Sequence, residues 1–185
     1  IPFIQVPTTV LAQADAAVGG KTGVDTNYGK NLLGAFKQPT RVYVDVTTLQ
    51  TLDEVEYRNG LAETIKHGVI ADKGFFEYLE EQMGPIAMRD RESALTIAKM
   101  NCRIKGSVVE QDPYEQGLRR ILNYGHTLGH ALEQRSEYSL PHGHCVSIGM
   151  MVAGRIATAM NLFPEKDLQR QEEVLKRASL PVSIP

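Results

Sequence analysis

The sequence is poor in features that would mark a secreted, membrane-spanning or nucleic-acid-binding protein. Cysteine occurs only twice, at Cys102 and Cys145. The two are too far apart for a CxxC pair, so neither a disulfide framework nor a cysteine zinc site is expected, and a reducing, cytoplasmic setting fits. No apolar run reaches the roughly 18 residues that a membrane-spanning helix needs. A net charge of −2 provides no basic surface for nucleic acid. There is no signal-peptide pattern and no initiator Met. The chain opens inside an apolar run, "IPFIQV", and stops at "LPVSIP"; it reads as a piece of a longer protein.

An apolar content of 42% and a charged content of 23% suit an ordinary globular chain with a real core, as one domain or parts of two. The first fifty residues are rich in glycine. "IPFIQVP" and "RVYVDV" read as strands from length and β-branched content, and "VGGKTGVDTNYGKNLLG" between them as a loop. Thr51 and Glu54 have the spacing of a capping box. Beyond them the texture becomes helical: "DEVEYRNGLAETIKHGVI", "RESALTIAKMNCRIKGSVVE", "GLRRILNYGHTLGHALEQR", "HGHCVSIGMMVAGRIATAMNL" and "EKDLQRQEEVLKRAS". The expected organisation is an α/β remnant over residues 1–52 followed by an all-α domain over residues 53–185.

The chemistry-bearing residues gather in a few blocks. His126 and His130, four apart, share a helix face. This is the HExxH spacing without its glutamate, because Thr127, Leu128 and Gly129 stand between. Such a pair fits core histidines as well as ligands. His142, which opens another helix after a proline, strengthens the metal reading. Two histidines and one carboxylate would form a zinc site with an open position. "GLAETIKHG" offers Glu63, with Lys66 on the same face; a surface ion pair and an inward-pointing carboxylate fit that spacing equally. "GGKTGVDTNYGKN" brings Lys21, Lys30 and Asn31 among glycines, suited to an anion although the Walker A spacing is not met. "EQGLRRILNYGH" adds Glu115, Arg119 and Asn123. As one helix with His126 and His130, this row would present a guanidinium, an amide and two imidazoles to a phosphorylated or carboxylated ligand.

"VPTTVLAQADAAVGGKTGVD", "GKNLLGAF", "GLAETIKHG", "EQGLRRILNYGHTLGHALE" and "LPHGHCVSIGM", in that order, resemble the 3-dehydroquinate synthase family up to about Leu162. The resemblance implies a dehydroquinate synthase-like fold with its active site between an α/β and a helical domain, and a phosphate-eliminating lyase of the shikimate pathway that uses NAD and zinc, or cobalt. It implies that a glycine-rich dinucleotide segment and the final helices lie outside this chain, and that the enzyme is a homodimer. Glu63, His126 and His142 match metal ligands. Thr8, Thr9, Lys30, Thr48 and Thr51 match positions around NAD. Asp15, Lys21, Asn31, Lys105, Arg119 and Asn123 match substrate-holding positions, and Lys66, Glu115 and His130 match catalytic ones. The same resemblance makes His130 a substrate-facing residue instead of a ligand.

Two positions depart from the family: His144 stands where Glu is usual and His67 where Tyr is frequent. For His144 a place behind the ligands or at the solvent is the corresponding expectation, with retuning of the metal as the sharper alternative; at His67 it is a tolerated aromatic replacement. Alternatives are another sugar-phosphate cyclase, making 2-deoxy-scyllo-inosose or a valiolone, and a fragment that binds metal without turnover. An iron-type alcohol dehydrogenase is disfavoured by "GGKTG" and "GKN".

Overall fold

Four aspartates punctuate the chain. Asp45, Asp53, Asp72 and Asp90 each stand just before a helix and accept a backbone N–H with the side chain, from Thr47, Val55, Phe75 and Ser93 at 2.8–2.9 Å. Such caps stabilise a helix start by about 1 kcal/mol each. The computed structural model describes residues 1–26 and 29–184, and the side chains of residues 25 and 29–32 fall outside the described set. Lys30 and Asn31 are among these, so their predicted roles have no structural counterpart here.

Within the described residues, β1 (Ile4–Gln5) pairs in parallel with β4 (Arg41–Val42). Between them lie a π-helical turn, Ala12–Ala16, and an antiparallel hairpin of β2 (Lys21–Thr26) and β3 (Gly29–Phe36). The hairpin corrects the expected loop. Its glycines hide the strand alternation in the sequence, yet Gly23 faces Gly34 directly and the register runs from Lys21 opposite Phe36 to a bulge between Val24 and Thr26. The two expected outer strands are shorter than their apolar runs. Asp45 turns the second of them into a 3-10 helix, Val46–Thr51.

The helical part comprises α1 (Glu54–Ala71), α2 (Lys73–Ala87), α3 (Arg91–Gln111), α4 (His126–Arg135), α5 (His142–Ala159) and α6 (Glu165–Arg177). The cap of α1 is Asp53, not the predicted Thr51–Glu54 box; the Thr51 hydroxyl turns back to the Thr48 carbonyl. Sequence reading passed over α2, whose Pro85 looks like a breaker; it lies in the last turn, so the backbone bond it forfeits is among the final ones of the helix. Helix α1 is central and packs against α2, α3, α5 and α6. Its Tyr57, Leu61 and Ile65 are fully buried with Leu79, Met83 and Ile86 of α2 and Met150 and Met151 of α5. No helix among the described residues is long and apolar enough to cross a membrane.

Two backbone contacts fix the helices that carry the site. Gly149 of α5 lies against the start of α4: a Cβ there would stand 1.9 Å from the Gly125 carbonyl oxygen. Gly143 of α5 lies against α1 in the same way, 2.0 Å from the Asn59 oxygen, and the Asn59 side chain accepts the Gly143 N–H. Gly125 itself has φ of 78°, a left-handed conformation that interrupts the expected single helix. A 3-10 helix, Leu118–Asn123, precedes it, and α4 begins anew at His126. Arg119 and Asn123 thus share no helix with His126 and His130.

Candidate active site

The floor of the site is a buried ion cluster. Glu63 and Lys66 of α1 each expose 1% of the side chain. The inward orientation therefore prevails over the surface ion pair. The Lys66 ammonium lies against Glu63 Oε2, while Oε1 stands 3.3 Å from His126 Nε2 and 3.1 Å from His142 Nε2. Burial pushes the Glu63 carboxyl upward, but Lys66 and the two imidazoles outweigh it and hold the carboxyl well below its ordinary range. Two imidazole nitrogens and one carboxylate oxygen, all within 4.8 Å of one another, form a donor set suited to zinc with a position left open. The donor chemistry of this trio thus fits the ion that the resemblance implies.

Among the described residues two further trios satisfy the same distance limit: His130, Glu133 and His142; and Asp15, Glu63 and His67. The second is less suited to a cation than the Glu63, His126 and His142 trio, because both of its carboxylates already hold an ammonium, Lys66 on Glu63 and Lys105 on Asp15. His67 is fully buried, with Nδ1 2.9 Å from Asn101 Oδ1. Burial, then Lys66, pushes its imidazole down to about 4, so it stays neutral in the core. His144 is half-buried and belongs to none of the three trios.

Above the floor opens a cavity of about 660 Å³. It brings together Asp15, Lys21, Lys66, Lys105, Glu115, Arg119, Asn123, His126, His130 and His142, drawn from positions more than a hundred residues apart. Lys105 of α3 pairs with Asp15 at 2.7 Å. Burial lowers the Lys105 ammonium, against the pull of Asp15. Lys21, at the head of the hairpin, pairs with Glu115, whose other oxygen accepts from Asn123 Nδ2 at 2.8 Å. Burial raises the Glu115 carboxyl, and these two partners more than reverse it. The His130 imidazole is lowered by burial and then by His126, which favours its neutral form.

The loop that presents Glu115 is folded by a residue that sequence reading missed. Asp112, at the end of α3, accepts the backbone N–H groups of Gln116, Gly117 and Arg119 at 2.7–3.0 Å. Those bonds hold its carboxyl below the ordinary range. "DPYEQG" carries the matching turn signal. Arg119 is 2% exposed and commits its guanidinium to backbone carbonyls, of Pro113 at 2.7 Å and Gly19 at 2.9 Å. Arg119→Lys is expected to lose one of these charge-assisted bonds and about 1.5–3 kcal/mol of stability, read from urea unfolding; an unchanged midpoint would show that a single ammonium suffices.

None of the four threonines Thr8, Thr9, Thr48 and Thr51 lines the cavity. Gln13 gathers their neighbourhood, donating from Nε2 to the Pro7 and Asp45 carbonyls and to Thr48 Oγ1 at 3.1–3.3 Å. Thr9 Oγ1 accepts from the Ala12 N–H. The threonines thus form an edge whose hydroxyls already bond locally, Thr48 and Thr51 donating to the Asp45 and Thr48 carbonyls.

The profile of the 3-dehydroquinate synthase C-terminal region matches residues 60–185, and that of the 3-dehydroquinate synthase N-terminal region matches residues 1–59. The chain belongs to the 3-dehydroquinate synthase family. Membership extends past Leu162, where the motif resemblance stops. The chain is 49% identical over 184 residues to the 3-dehydroquinate synthase of Acetivibrio thermocellus, covering all of this chain and 51% of that protein. It is 52% identical over 188 residues to the enzyme of the same name from Picosynechococcus sp., covering 52% of that protein. The chain thus spans about half the length of the curated relatives it matches. Among solved structures, it is similar to 2-epi-5-epi-valiolone synthase from Streptomyces hygroscopicus with NAD+ and Zn2+ bound, with a TM-score of 0.91 and 31% identity over all of this chain and 52% of that one. A 2-deoxy-scyllo-inosose synthase complexed with carbaglucose-6-phosphate, NAD+ and Co2+ also gives a TM-score of 0.91 and 31% identity, over 50% of its length. The dehydroquinate synthase-like fold expected from the motifs is thereby established.

Proposed function

We propose that this chain carries the metal- and substrate-binding part of a 3-dehydroquinate synthase, converting 3-deoxy-D-arabino-heptulosonate 7-phosphate to 3-dehydroquinate with loss of phosphate. The observation that carries the reading is the convergence of Glu63 Oε1, His126 Nε2 and His142 Nε2 beside a cavity lined by Lys21, Lys66, Lys105 and Arg119. In this reading residues 1–52 close a nucleotide-binding domain, residues 53–185 form the helical domain, and the working enzyme is a homodimer. When bound, zinc or cobalt supplies Lewis acidity, and NAD, along the threonine edge, supplies a reversible hydride acceptor.

The chain's own residues supply charge, aim and proton traffic. A sugar-acid phosphate carries anionic groups at both ends, and Lys21, Lys105 and Arg119 offer cationic partners across the cavity. Lys66, held against Glu63, keeps a fixed positive charge beside the metal point. Glu115, ionised and steered by Lys21 and Asn123, accepts hydrogen bonds from substrate hydroxyls and orients them. His130, with its neutral imidazole facing the cavity, takes up or returns a proton near the leaving phosphate.

The deciding experiment supplies the heptulosonate phosphate to the protein loaded with NAD and zinc. Release of inorganic phosphate with formation of 3-dehydroquinate, lost on chelation, is the expected result. The structural likeness to the inosose and valiolone synthases makes glucose 6-phosphate the control substrate. Turnover of that compound alone would assign another sugar-phosphate cyclase. Zinc binding without turnover of either substrate would reduce the role to metal binding.

A further inference from the structure

His142 faces a carboxylate from each of its ring nitrogens. Nε2 points to Glu63 Oε1 at 3.1 Å, and Nδ1 lies 3.3 Å from Glu133 Oε1. Glu133 is only 3% exposed, in a helix that is otherwise mostly half-buried or solvent-facing. It stands seven residues after His126, two turns along α4, and so on the same face. Helix α4 therefore delivers one imidazole to the metal point and a buried carboxylate behind the other imidazole.

His126 shows the matching arrangement by different means. Its Nε2 also points to Glu63 Oε1, and its Nδ1 is backed by the Tyr124 carbonyl at 3.1 Å. An imidazole whose Nδ1–H is held by an acceptor presents the Nε2 lone pair outward, and such outer partners fix both tautomer and ring orientation. We propose that Glu133 is a positioning residue that holds His142 in the Nδ1–H tautomer and aims its Nε2 at the metal point, as the Tyr124 carbonyl does for His126. The proposal rests on the metal reading of Glu63, His126 and His142. The competing arrangement would place the ion among His130, Glu133 and His142. It would use Nδ1 of His142 and give up the convergence of two Nε2 atoms on one buried oxygen; His130, moreover, is exposed.

Zinc affinity, by competition with a chromophoric chelator, and the visible spectrum of the cobalt-loaded protein are measured for the wild type and for Glu133→Gln, Glu133→Asp and Glu63→Gln. The expected result is loss of binding in Glu63→Gln, and affinity weakened by roughly 10–100-fold in Glu133→Gln with a changed cobalt spectrum. Glu133→Asp, which keeps the charge, should recover part of the affinity. Loss in Glu63→Gln with wild-type affinity and spectrum in Glu133→Gln would overturn the positioning role and leave the metal reading standing. Retained binding in Glu63→Gln with loss in Glu133→Gln would make Glu133 a ligand and overturn both. Nitrogen NMR of the zinc-loaded wild type reads the tautomer without any substitution: a protonated Nδ1 on His142 is expected, and a protonated Nε2 would refute the proposal.

Discussion

Glu63→Ala is expected to remove zinc binding and to lower stability by about 3–5 kcal/mol, the usual cost of breaking a buried ion pair from one side. Glu63 is the point at which three interactions meet: Lys66 on one oxygen, His126 and His142 on the other. Truncation strands an ammonium that is 1% exposed and removes the shared acceptor of both imidazoles. Urea unfolding measures the first effect and zinc titration the second. Glu63→Gln separates them, since the amide keeps the volume and one acceptor while discarding the charge. A protein that carried Glu63→Ala, kept its unfolding midpoint and bound zinc normally would sink both the buried-pair account and the metal assignment.

The second large effect is expected from a single methyl group. In Gly149→Ala the added carbon would stand 1.9 Å from the Gly125 carbonyl oxygen and 3.1 Å from the Gly129 nitrogen. Both neighbours are backbone, so no rotamer change relieves the clash, and α4 must move away from α5. Overpacking a core costs typically 1–3 kcal/mol where side chains can yield; here the cost is expected above that range. His126 opens α4 and His142 opens α5, so the same displacement separates the two imidazoles and is expected to weaken zinc binding in the molecules that still fold. Gly106→Ala is the control. Nothing lies within 4 Å of a Cβ at that α3 position, and the exchange should stabilise the helix by about 0.5–1 kcal/mol. Equal losses from the two substitutions would show that helix propensity, not contact, governs both.

Legibility in the sequence followed the physics of each segment. The helices with clean apolar periodicity could be read directly, and "GLAETIKHG" and "GHTLGH" marked the cluster even where spacing alone left Glu63 undecided. The hairpin was opaque because glycines occupy the positions where alternation would show, and its pairing depends on Gly23 facing Gly34. The break at Gly125 was opaque because the apolar spacing of "LRRILNYGHTLGHALE" runs straight through it; the left-handed φ goes with a long-range close approach to α5, where a Cβ would stand 2.7 Å from the Val146 carbonyl oxygen. Asp112 and Glu133 escaped attention for the opposite reason. Each looks like an ordinary helical charge until the fold shows one collecting three backbone amides and the other buried behind His142.

The glycine contacts of α5 also say what the site is insulated from. Where peptide backbones touch, the spacing between helices is a property of the main chain, not of side-chain volume. The separation of His126 from His142 should therefore tolerate exchange of apolar residues on the far side of the bundle, such as Leu168, Val174 and Leu175 of α6, which are buried in the core away from the cavity lining. Drift in core composition and tuning of the ligand geometry can then proceed as separate variables, with Gly143 and Gly149 as the positions that couple them.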